Sequence, residues 1–554
     1  MSIEDRTLLQ WLDEPPTGRG LHFSGSANTW AFWPYAELAA LTLRTAAALS
    51  ARRLRGGVVV IIQRSSPGLV ASLFGTLAAG ATACSVAPPF AFRRSDEHER
   101  HLSHLLATAQ PALVITDTDS ISHLQRLTGR LGLSEPLLFD ELIADVVPTA
   151  GPAPPAELAL LQFTSGSTGF SRAVRVPNSA VQANATAMRR WLHWTPEFSG
   201  ISWLPMHHDM GLIGCLLNIV VTGCDGWMMQ PEEFIRSPLR YLSCISAHRV
   251  ALTAMPNFGL AYILRRVRPA SLEGLRFDSL RSVILGAERT DPRILEGIER
   301  LLEPFGFDRR AILPAYGSAE ATLAVTGLPM HEGWITAAPR RNGRVGRRGA
   351  EIVGCGRPLE GISVSVIDDN GLPVRDGTVG EILVTGPSVA AGYLGDPGTV
   401  SVASLRGGTL RTGDAGFLTD GQLFVLGRLG DGLKVRGGMV FAEGVEAMLA
   451  HRGIPARHVV VLLGVRDGCP TAAVLLENAQ PDWAVIADEV LRESVGDAEL
   501  LVMSVPRGGI ALTSSGKPRR RLMWRALCDG TLAGDVVAVP AHRSHEPAAG
   551  VGTR

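Results

Sequence analysis

Lysine is almost absent from this chain of 554 residues. Lys434 and Lys517 are the only lysines, so nearly all of the 53 positively charged side chains are arginines. A bias this strong is typical of a high-GC genome. Arginine cannot replace lysine where a compact, rotatable ammonium group must follow a moving group, or where the side chain must lose its proton. The two remaining lysines are therefore candidate functional residues.

The chain also lacks net charge, long apolar runs and paired cysteines. Basic and acidic residues both number 53, which gives no electrostatic reason to expect nucleic acid as a partner. The longest apolar stretch, 212–221, is too short to span a bilayer. The seven cysteines show no C-x-x-C spacing, which argues against a disulfide framework or a zinc site. Since the first residues do not resemble a signal peptide, the sequence predicts a cytoplasmic protein without a membrane span.

The apolar pattern changes twice along the chain, which is too long for one hydrophobic core. Through the first four hundred residues, short β-branched runs alternate with amphipathic segments, which predicts an α/β fold of layered, mostly parallel sheets. Five glycines between residues 427 and 438 suit a hinge, and a compact α+β pattern follows them. We predict a large N-terminal domain at 1–427 with a small β subdomain at about 355–427, a mobile C-terminal domain at 428–532, and a disordered tail at 533–554.

A loop rich in Thr, Ser and Gly follows the predicted strand 158–163. Its sequence, Leu161-Gln-Phe-Thr-Ser-Gly-Ser-Thr-Gly-Phe170, suits a phosphate cradle, because small residues let backbone N–H groups approach an anion and hydroxyls can donate to its oxygens. It is not a P-loop of the GxxxxGK[ST] type, since both the spacing and the lysine differ. Taken alone, the loop could equally be a plain turn.

Six further segments follow the loop in order. They are Trp203-Leu-Pro-Met-His-His-Asp-Met-Gly-Leu-Ile-Gly214, Leu285-Gly-Ala-Glu288, Ala315-Tyr-Gly-Ser-Ala-Glu-Ala-Thr-Leu323, Arg411-Thr-Gly-Asp414, Gly427-Arg428 and Thr513-Ser-Ser-Gly-Lys-Pro-Arg-Arg520. With the loop, they resemble the adenylate-forming superfamily of acyl-CoA synthetases, fatty acyl-AMP ligases, luciferases and adenylation domains. The resemblance covers about residues 20 to 530. The sequences of the motifs, including Pro256-Asn-Phe258, are most similar to those of fatty acyl-AMP ligases.

The resemblance implies a nucleotide site and an acyl pocket in the large domain. It assigns to ATP or AMP the loop residues Thr164, Ser165, Gly166, Ser167, Thr168 and Gly169, then Arg172, Gly286, Ala287, Glu288, Tyr316, Gly317, Asp414 and Arg428. It assigns Mg²⁺ to Glu320 and the acyl pocket to His208, Met255 and Phe258. Taken singly, Tyr316 and His208 could be packed core residues, and Asp414 could be a turn acid.

The resemblance also gives each lysine a role in the small domain. Lys517 corresponds to the lysine that neutralises charge on the α-phosphate and carboxylate while acyl-AMP forms. Lys434 corresponds to a lysine of the CoA-forming members, near acyl-AMP in the thioester-forming conformation. Gly430 occupies the hinge position, where the family usually has Asp or Lys. Alternatively, Lys434 could be an ordinary surface lysine beside a hinge.

The chain departs from the family pattern at two places. Ser171-Arg172-Ala173 stands where the phosphate loop normally continues Pro-Lys-Gly, so Arg172 would replace the lysine as a phosphate donor. The insertion that disfavours CoA in fatty acyl-AMP ligases looks shortened between Leu323 and Cys355, with the Gly- and Arg-rich segment 340–349 in its place. The short insertion and Lys434 both favour CoA as acceptor.

These observations predict a ligase that joins a carboxylic acid to CoA through acyl-AMP, with ATP, Mg²⁺ and coenzyme A, in bacterial biosynthesis. If the altered loop rejects ATP, the chain would only form the thioester from acyl-AMP that a separate adenylating partner enzyme supplies. The alternatives are a fatty acyl-AMP ligase that loads the phosphopantetheine of an acyl carrier protein and a non-catalytic nucleotide-binding pseudoenzyme. The acid itself cannot be read from the sequence.

Overall fold

Two units make up the part of the chain that the computed structural model describes, which is residues 6–25, 29–88, 95–148, 151–164, 171–341, 344–345, 351–395, 403–435, 438–496, 498–513 and 516–537. They divide between Leu429 and Gly430, inside the glycine-rich stretch predicted as a hinge. The phosphate-loop residues Ser165, Gly166, Ser167, Thr168 and Gly169 lie outside the described residues.

The larger unit contains two sheets whose central strands are parallel. The nine-stranded sheet has the order Arg357–Pro358, Ala324–Gly327, Ile312–Gly317, Ser282–Leu285, Leu252–Met255, Gly200–Ser202, Gly226–Met228, Gly20–Ser24 and Trp30–Pro34. The seven-stranded sheet has the order Gly392–Tyr393, Ala173–Pro177, Leu158–Phe163, Thr82–Ser85, Val58–Ile62, Leu113–Thr116 and Leu137–Leu138. The predicted α/β fold with mostly parallel sheets is therefore confirmed.

Both faces of the seven-stranded sheet are buried, because its central strands are continuous apolar runs. Val59 and Ile61 point into the main core, which also contains Leu21 and Leu313 from the nine-stranded sheet. Val60 and Ile62, on the opposite face, pack in a second cluster with residues of the helix Ser95–Ala109. The main core thus lies between the two sheets.

Helices pack against both sheets and connect their strands, and several of them contribute side chains to the main core. They are Tyr35–Ala51, Pro67–Ala78, Ser95–Ala109, Thr118–Leu131, Phe139–Ile143, Asn178–Trp191, Asn218–Thr222, Pro231–Arg236, Pro238–Ala247, Asn257–Arg266 and Pro292–Leu302. A π-helix, Met210–Leu217, precedes Asn218–Thr222 directly. Segments of this rare geometry are frequent at functional sites.

A third, antiparallel sheet ends the larger unit. It joins Ser363–Ile367, Gly380–Thr385, Thr409–Thr419 and Ser404–Arg406, and Gln422–Arg428 also pairs with Thr409–Thr419. The pairing of Thr409–Thr419 with Gln422–Arg428 forms a hairpin that ends next to the boundary between the units. Between the Leu323 and Cys355 positions, short pairings link Thr336–Ala337 to Ile352–Val353 and Arg340–Arg341 to Arg344–Val345.

The smaller unit has the predicted α+β character. Its main sheet has the order Val459–Arg466, Cys469–Glu477, Glu499–Val505 and Asp535–Val536, and its helices are Ala442–His451, Trp483–Val495 and Arg520–Cys528. Gly432–Val435 and Gly438–Phe441 form a separate hairpin. The strand Asp535–Val536 pairs with Glu499–Val505, so residues at the start of the predicted disordered tail belong to the sheet.

No helix within the described ranges is both long enough and apolar enough to cross a bilayer.

Gly327 tests the packing of the nine-stranded sheet. A Cβ atom at this position would lie 2.2 Å from Cζ2 of Trp191, whose Nε1 donates to Leu328 O at 2.8 Å and thereby fixes the indole. We expect Gly327→Ala to lower the free energy of unfolding by about 2 kcal/mol, measured by denaturant titration. Gly129→Ala is the control, because Gly129 lies in a helix with open space around it and alanine should stabilise that helix. Equal stability of the two variants would contradict this packing.

Candidate functional site

Several predicted site residues follow the carboxyl ends of strands. Thr164 follows Leu158–Phe163, Glu288 follows Ser282–Leu285, and Tyr316 lies near the end of Ile312–Gly317. In α/β sheets, ligands bind outside the carboxyl ends of the parallel strands, where loops from neighbouring strands meet. The fold therefore places these residues where a ligand site is expected.

Tyr316, Asp414 and Arg428 form the first cluster. The Tyr316 hydroxyl donates to Oδ2 of Asp414 at 2.7 Å, and Nε of Arg428 lies 3.3 Å from Oδ1 of the same carboxylate. Asp414 and Arg428 are register partners in the hairpin, so the backbone itself sets the ion pair. Asp414 is only 9% exposed. The cluster presents a carboxylate that is already oriented from two sides.

Burial governs the protonation of this first cluster. Burial, reinforced by the adjacent Asp414 carboxylate, raises the pKa of Tyr316 well above its ordinary value. The phenol is therefore a neutral donor at physiological pH. Asp414 also receives support from its own strand, where its N–H donates to Oγ1 of Thr412 at 3.0 Å. A carboxylate held in this way can accept hydrogen bonds from a pair of hydroxyls such as those of a ribose.

Arg172, Glu320 and Tyr393 form the second cluster. The Tyr393 hydroxyl donates to Oε1 of Glu320 at 2.9 Å and accepts from Nη2 of Arg172 at 2.8 Å. The same Nη2 lies 3.5 Å from Oε1 of Glu320. The guanidinium carbon of Arg172 stands 3.7 Å from the centre of the Tyr393 ring, a cation–π contact. Burial and the Glu320 charge raise the pKa of Tyr393, so the hydroxyl keeps its proton.

Tyr393 was missed by sequence reasoning. It lies in Gly392-Tyr-Leu-Gly395, whose only signal is an aromatic residue between glycines. The strand Gly392–Tyr393 pairs with Ala173–Pro177, with Tyr393 opposite Val174, and this long-range register brings the ring to Arg172. Such a pairing between distant segments leaves no local pattern in the sequence.

Thr164 and Arg172 close the base of the predicted phosphate loop. The Thr164 N–H donates to Arg172 O at 2.9 Å, and the Arg172 N–H donates to Oγ1 of Thr164 at 3.3 Å. The two ends of the loop are thus pinned together, although Pro-Lys-Gly is replaced by Ser171-Arg172-Ala173. The replacement preserves a hairpin at this point and a positive charge beside Glu320.

The segment predicted to line the adenine pocket is tied to the predicted acyl pocket. The Phe258 N–H donates to Oε1 of Glu288 at 2.6 Å, so this carboxylate caps the first turn of the helix Asn257–Arg266. Ala287 has a φ of +70°, a left-handed conformation that a non-glycine residue adopts at some cost in strain. At Gly286, a Cβ atom would lie 3.8 Å from the sulfur of Met210.

The three predicted acyl-pocket residues have different surroundings. Met255 is 2% exposed and belongs to the core. Phe258 is 39% exposed and lies edge-on to Trp203, with ring centres 5.7 Å apart. His208 lies before the π-helix with its ring 4.4 Å from that of His207, whose carbonyl accepts from Gln162 at 3.0 Å. Of the three, Phe258 is therefore the one whose side chain is most available to a ligand.

Gly317 is required by close backbone packing. A Cβ atom there would lie 1.8 Å from Leu323 O, because the chain after Tyr316 turns tightly through residues 318–322. In this turn Thr322 has a φ of +71°, and its hydroxyl donates to Ser388 O at 2.7 Å. The turn carries Glu320, whose own carbonyl accepts from the Ala390 N–H at 2.9 Å. These bonds fix Glu320 against the segment that leads to Tyr393.

The lysines lie on two different loops of the smaller unit. Lys517 belongs to a tight turn in which its N–H donates to Oγ1 of Thr513 at 3.0 Å and its carbonyl accepts from the Thr513 N–H at 2.7 Å. Lys434 is exposed in the hairpin Gly432–Val435 and Gly438–Phe441, opposite Met439. Gly430 is the first residue of this unit and lies in a 3₁₀ turn, Leu429–Asp431.

Glu320 is the residue that could hold a magnesium ion. Among the described residues there is no group of three or more His, Cys, Asp or Glu side chains that could hold a metal by themselves. Mg²⁺ commonly takes one or two carboxylates and completes its shell with phosphate oxygens and water. A single buried carboxylate beside a pinned phosphate loop fits that requirement when a triphosphate supplies the other oxygens.

This chain is similar in sequence and in fold to known proteins. The model of a family described as AMP-binding enzyme matches residues 14–394. The medium-chain-fatty-acid–[acyl-carrier-protein] ligase JamA of Moorena producens is 31% identical over 504 residues, covering 84% of this chain and 84% of that protein. A putative fatty-acid–CoA ligase of Mycobacterium tuberculosis, fadD25, is 28% identical and covers 88% and 90%. A solved structure from a study of fatty acyl-adenylate ligases of E. coli and L. pneumophila superposes with a TM-score of 0.85 at 27% identity, covering 96% and 99%.

The second cluster makes a specific prediction about stability. We expect Tyr393→Phe to lower the free energy of unfolding by about 1–2 kcal/mol, because the hydroxyl bonds two charged partners. Combined with Glu320→Ala, the loss should be smaller than the sum of the single losses, since each change alone breaks the hydrogen bond between the two side chains. Tyr262→Phe serves as the matched control, because its hydroxyl bonds only an exposed carbonyl, that of Ile235. Additive losses in the double variant would contradict the proposed coupling.

Proposed function

Because this chain belongs to the AMP-binding enzyme family and is an adenylate-forming acyl ligase of the fatty acyl-AMP and fatty acyl-CoA ligase type, we propose that it makes acyl-CoA from a carboxylic acid. In the first step the carboxylate attacks the α-phosphorus of ATP, forming acyl-AMP and releasing pyrophosphate. In the second step the thiol of coenzyme A attacks the acyl carbon, forming the thioester and releasing AMP and a proton.

The first cluster supports the assignment of the nucleoside. The Asp414 carboxylate would accept hydrogen bonds from the ribose hydroxyls, while Tyr316 and Arg428 hold it in place. The Tyr316 ring would lie beside the adenine as an aromatic platform. Because the carboxylate is oriented before the nucleotide arrives, little reorganisation accompanies binding.

The second cluster supports the use of ATP in this proposal. Arg172 would contact the β- and γ-phosphates, and its guanidinium can bond them in a bidentate manner that lysine cannot. Glu320 would hold Mg²⁺, which neutralises phosphate charge when bound. Tyr393 and Arg172 both lie close to Oε1 of Glu320. The carboxylate that would hold Mg²⁺ is therefore next to the guanidinium that would contact the phosphates.

The two lysines divide the reaction in this proposal. Lys517 would stabilise the negative charge that develops on the α-phosphate and carboxylate during adenylation. Lys434 would approach acyl-AMP during thioester formation. Hydrogen bonds between residues 513 and 517 close the Lys517 turn, whereas Lys434 lies in the exposed hairpin, so the two lysines lie on separate segments of the smaller unit.

The presence of Lys434 is the main observation that supports coenzyme A as the acceptor. The competing function is acylation of a carrier protein, and the similarity to JamA, whose name specifies an acyl-carrier-protein, favours it. The shortened insertion that the sequence indicates between Leu323 and Cys355 also supports CoA in this proposal, and the described residues of this segment pair Thr336–Ala337 with Ile352–Val353 and Arg340–Arg341 with Arg344–Val345.

A product assay decides between these acceptors. The purified chain is supplied with ATP, Mg²⁺ and a panel of fatty acids, together with either CoA or a phosphopantetheinylated carrier protein, and acyl-AMP is supplied in place of acid and ATP in a parallel series. The proposal predicts acyl-CoA in both series. Acylated carrier protein without acyl-CoA would contradict CoA as acceptor. Acyl-CoA only from supplied acyl-AMP would show that a separate enzyme performs adenylation, and turnover in neither series would favour a nucleotide-binding pseudoenzyme.

Replacement of each lysine should impair a different step. We expect Lys517→Ala to slow ATP–pyrophosphate exchange by about 10²–10³-fold, because it removes transition-state charge stabilisation, while thioester formation from supplied acyl-AMP stays close to the wild-type rate. Lys434→Ala should show the opposite pattern. Lys517→Arg and Lys434→Arg are the matched controls for charge without lysine geometry. Equal loss of both half-reactions in either alanine variant would contradict the division of roles.

A further inference from the structure

A cleft of about 460 Å³ lies wholly within the smaller unit. Its walls are the hairpin strand Gly432–Val435, the end of the strand Val459–Arg466 and the first turns of the helix Arg520–Cys528. Its volume falls within the range of small-molecule sites. Apart from Lys434 and the hinge residue Gly430, none of the residues that line this cleft has been assigned a role in the proposed reaction.

The indole of Trp524 forms an aromatic floor of this cleft. A Cβ atom on Gly464 would lie 2.4 Å from Cζ2 of Trp524, so only glycine at this strand position lets the ring lie directly against the backbone. The indole is partly exposed, and Val465 beside it is 60% exposed. The cleft thus contains a partly exposed aromatic side chain against which a planar ring could stack.

The cleft carries an excess of positive charge. Lys434, Arg520, Arg521 and Arg525 line it, together with one carboxylate, that of Asp431. Arg520 is neutralised by Glu446 and Glu443, at 2.7 and 3.1 Å, which lie behind the cleft. Asp431 is 6% exposed and lies 3.8 Å from Arg521. The ligand-facing charge therefore remains positive even after these internal pairs are counted.

An aromatic floor with a guanidinium rim matches a phosphorylated purine. Bases stack on aromatic side chains irrespective of sequence, and guanidinium groups bond phosphate oxygens in a bidentate manner. Coenzyme A carries such a group, because its nucleotide end is an adenosine with a 3′-phosphate and a 5′-diphosphate. The phosphopantetheine of a carrier protein has no base. A base-stacking floor therefore distinguishes the free cofactor from the carrier-bound arm.

We propose that the cleft between Lys434 and Arg525 binds the 3′-phosphoadenosine diphosphate end of coenzyme A, with the adenine on Trp524 and the phosphates at Arg521 and Arg525. Lys434, at the hairpin edge of the same cleft, lies toward the part of the ligand that carries the thiol. The identity of the ligand rests on the proposed function, whereas the existence of the site rests on the cleft itself.

Binding of adenosine 3′,5′-bisphosphate to the full-length chain, measured by calorimetry, tests the site without any turnover. We expect Arg525→Gln and Arg521→Gln each to weaken binding about tenfold, because each removes a charge-assisted phosphate contact. Trp524→Leu should weaken it by a similar factor, and Trp524→Phe should restore most of the affinity because a π face remains. Arg507→Gln, a change to an exposed arginine of the same unit that does not line the cleft, should bind as the wild type does.

A variant in the larger unit separates this site from the AMP site. Asp414→Asn should leave bisphosphate binding unchanged if the cleft holds the ligand. Absence of binding to the wild type, or binding that is lost in Asp414→Asn and retained in Arg525→Gln, would overturn the proposal. Bisphosphate binding that follows the cleft variants supports the site even if acyl-CoA never forms, in which case the acceptor assignment alone fails. Acyl-CoA formation with bisphosphate binding indifferent to the cleft variants would leave the function standing and remove this site.

Discussion

The hydrogen bond from Tyr316 to Asp414 is the interaction on which the site in the larger unit depends. Tyr316 belongs to the nine-stranded sheet and Asp414 to the antiparallel sheet, so the 2.7 Å bond joins two sheets at one buried carboxylate. The neighbouring hairpin strand supplies Arg428, and the chain passes into the smaller unit directly after Leu429. Arg428, which would support the carboxylate that holds the ribose, is thus separated only by Leu429 from the point where the units divide. A nucleotide bound at Asp414 would restrain the strand from which the smaller unit departs.

Contact with Tyr393 explains in physical terms why an arginine can replace the usual lysine at the end of the predicted phosphate loop. A guanidinium is planar and can lie on an aromatic ring while its edge bonds a carboxylate, and Arg172 does both, at 3.7 Å from the ring centre and 3.5 Å from Glu320. An ammonium group is a strongly hydrated point charge and would gain less from the same ring. Arg172 is therefore positioned by Tyr393. An arginine in place of the usual lysine is compatible with the proposed contact to phosphate.

The regular elements could be predicted from the sequence because local patterns specify them. The apolar runs 58–62, 158–163 and 282–285 coincide with strands, since continuous apolar segments are buried on both faces of a parallel sheet. The clusters were only partly predictable. Tyr316, Asp414 and Arg428 lie in recognisable motifs, whereas Tyr393 depends on a pairing with residues more than two hundred positions earlier in the chain. Glu288 was predicted at the adenine pocket, and its role as a cap of the helix Asn257–Arg266 depends on a contact between strand ends that only the fold creates.

Arginine and lysine occupy different kinds of position in the smaller unit. Arg520 is buried and held by Glu443 and Glu446, a fixed position where a rigid guanidinium fork with several donors is favoured. Lys517 and Lys434, in contrast, lie in a hydrogen-bonded turn and in an exposed hairpin of the same unit. Arginine thus supplies the charge of this fixed ion-pair cluster, and the two lysines are proposed to supply the charge that follows a reacting phosphate or acyl group. Under the proposed function, lysine is retained at 434 and 517 because these two positions require a compact charged group that can follow a reacting group.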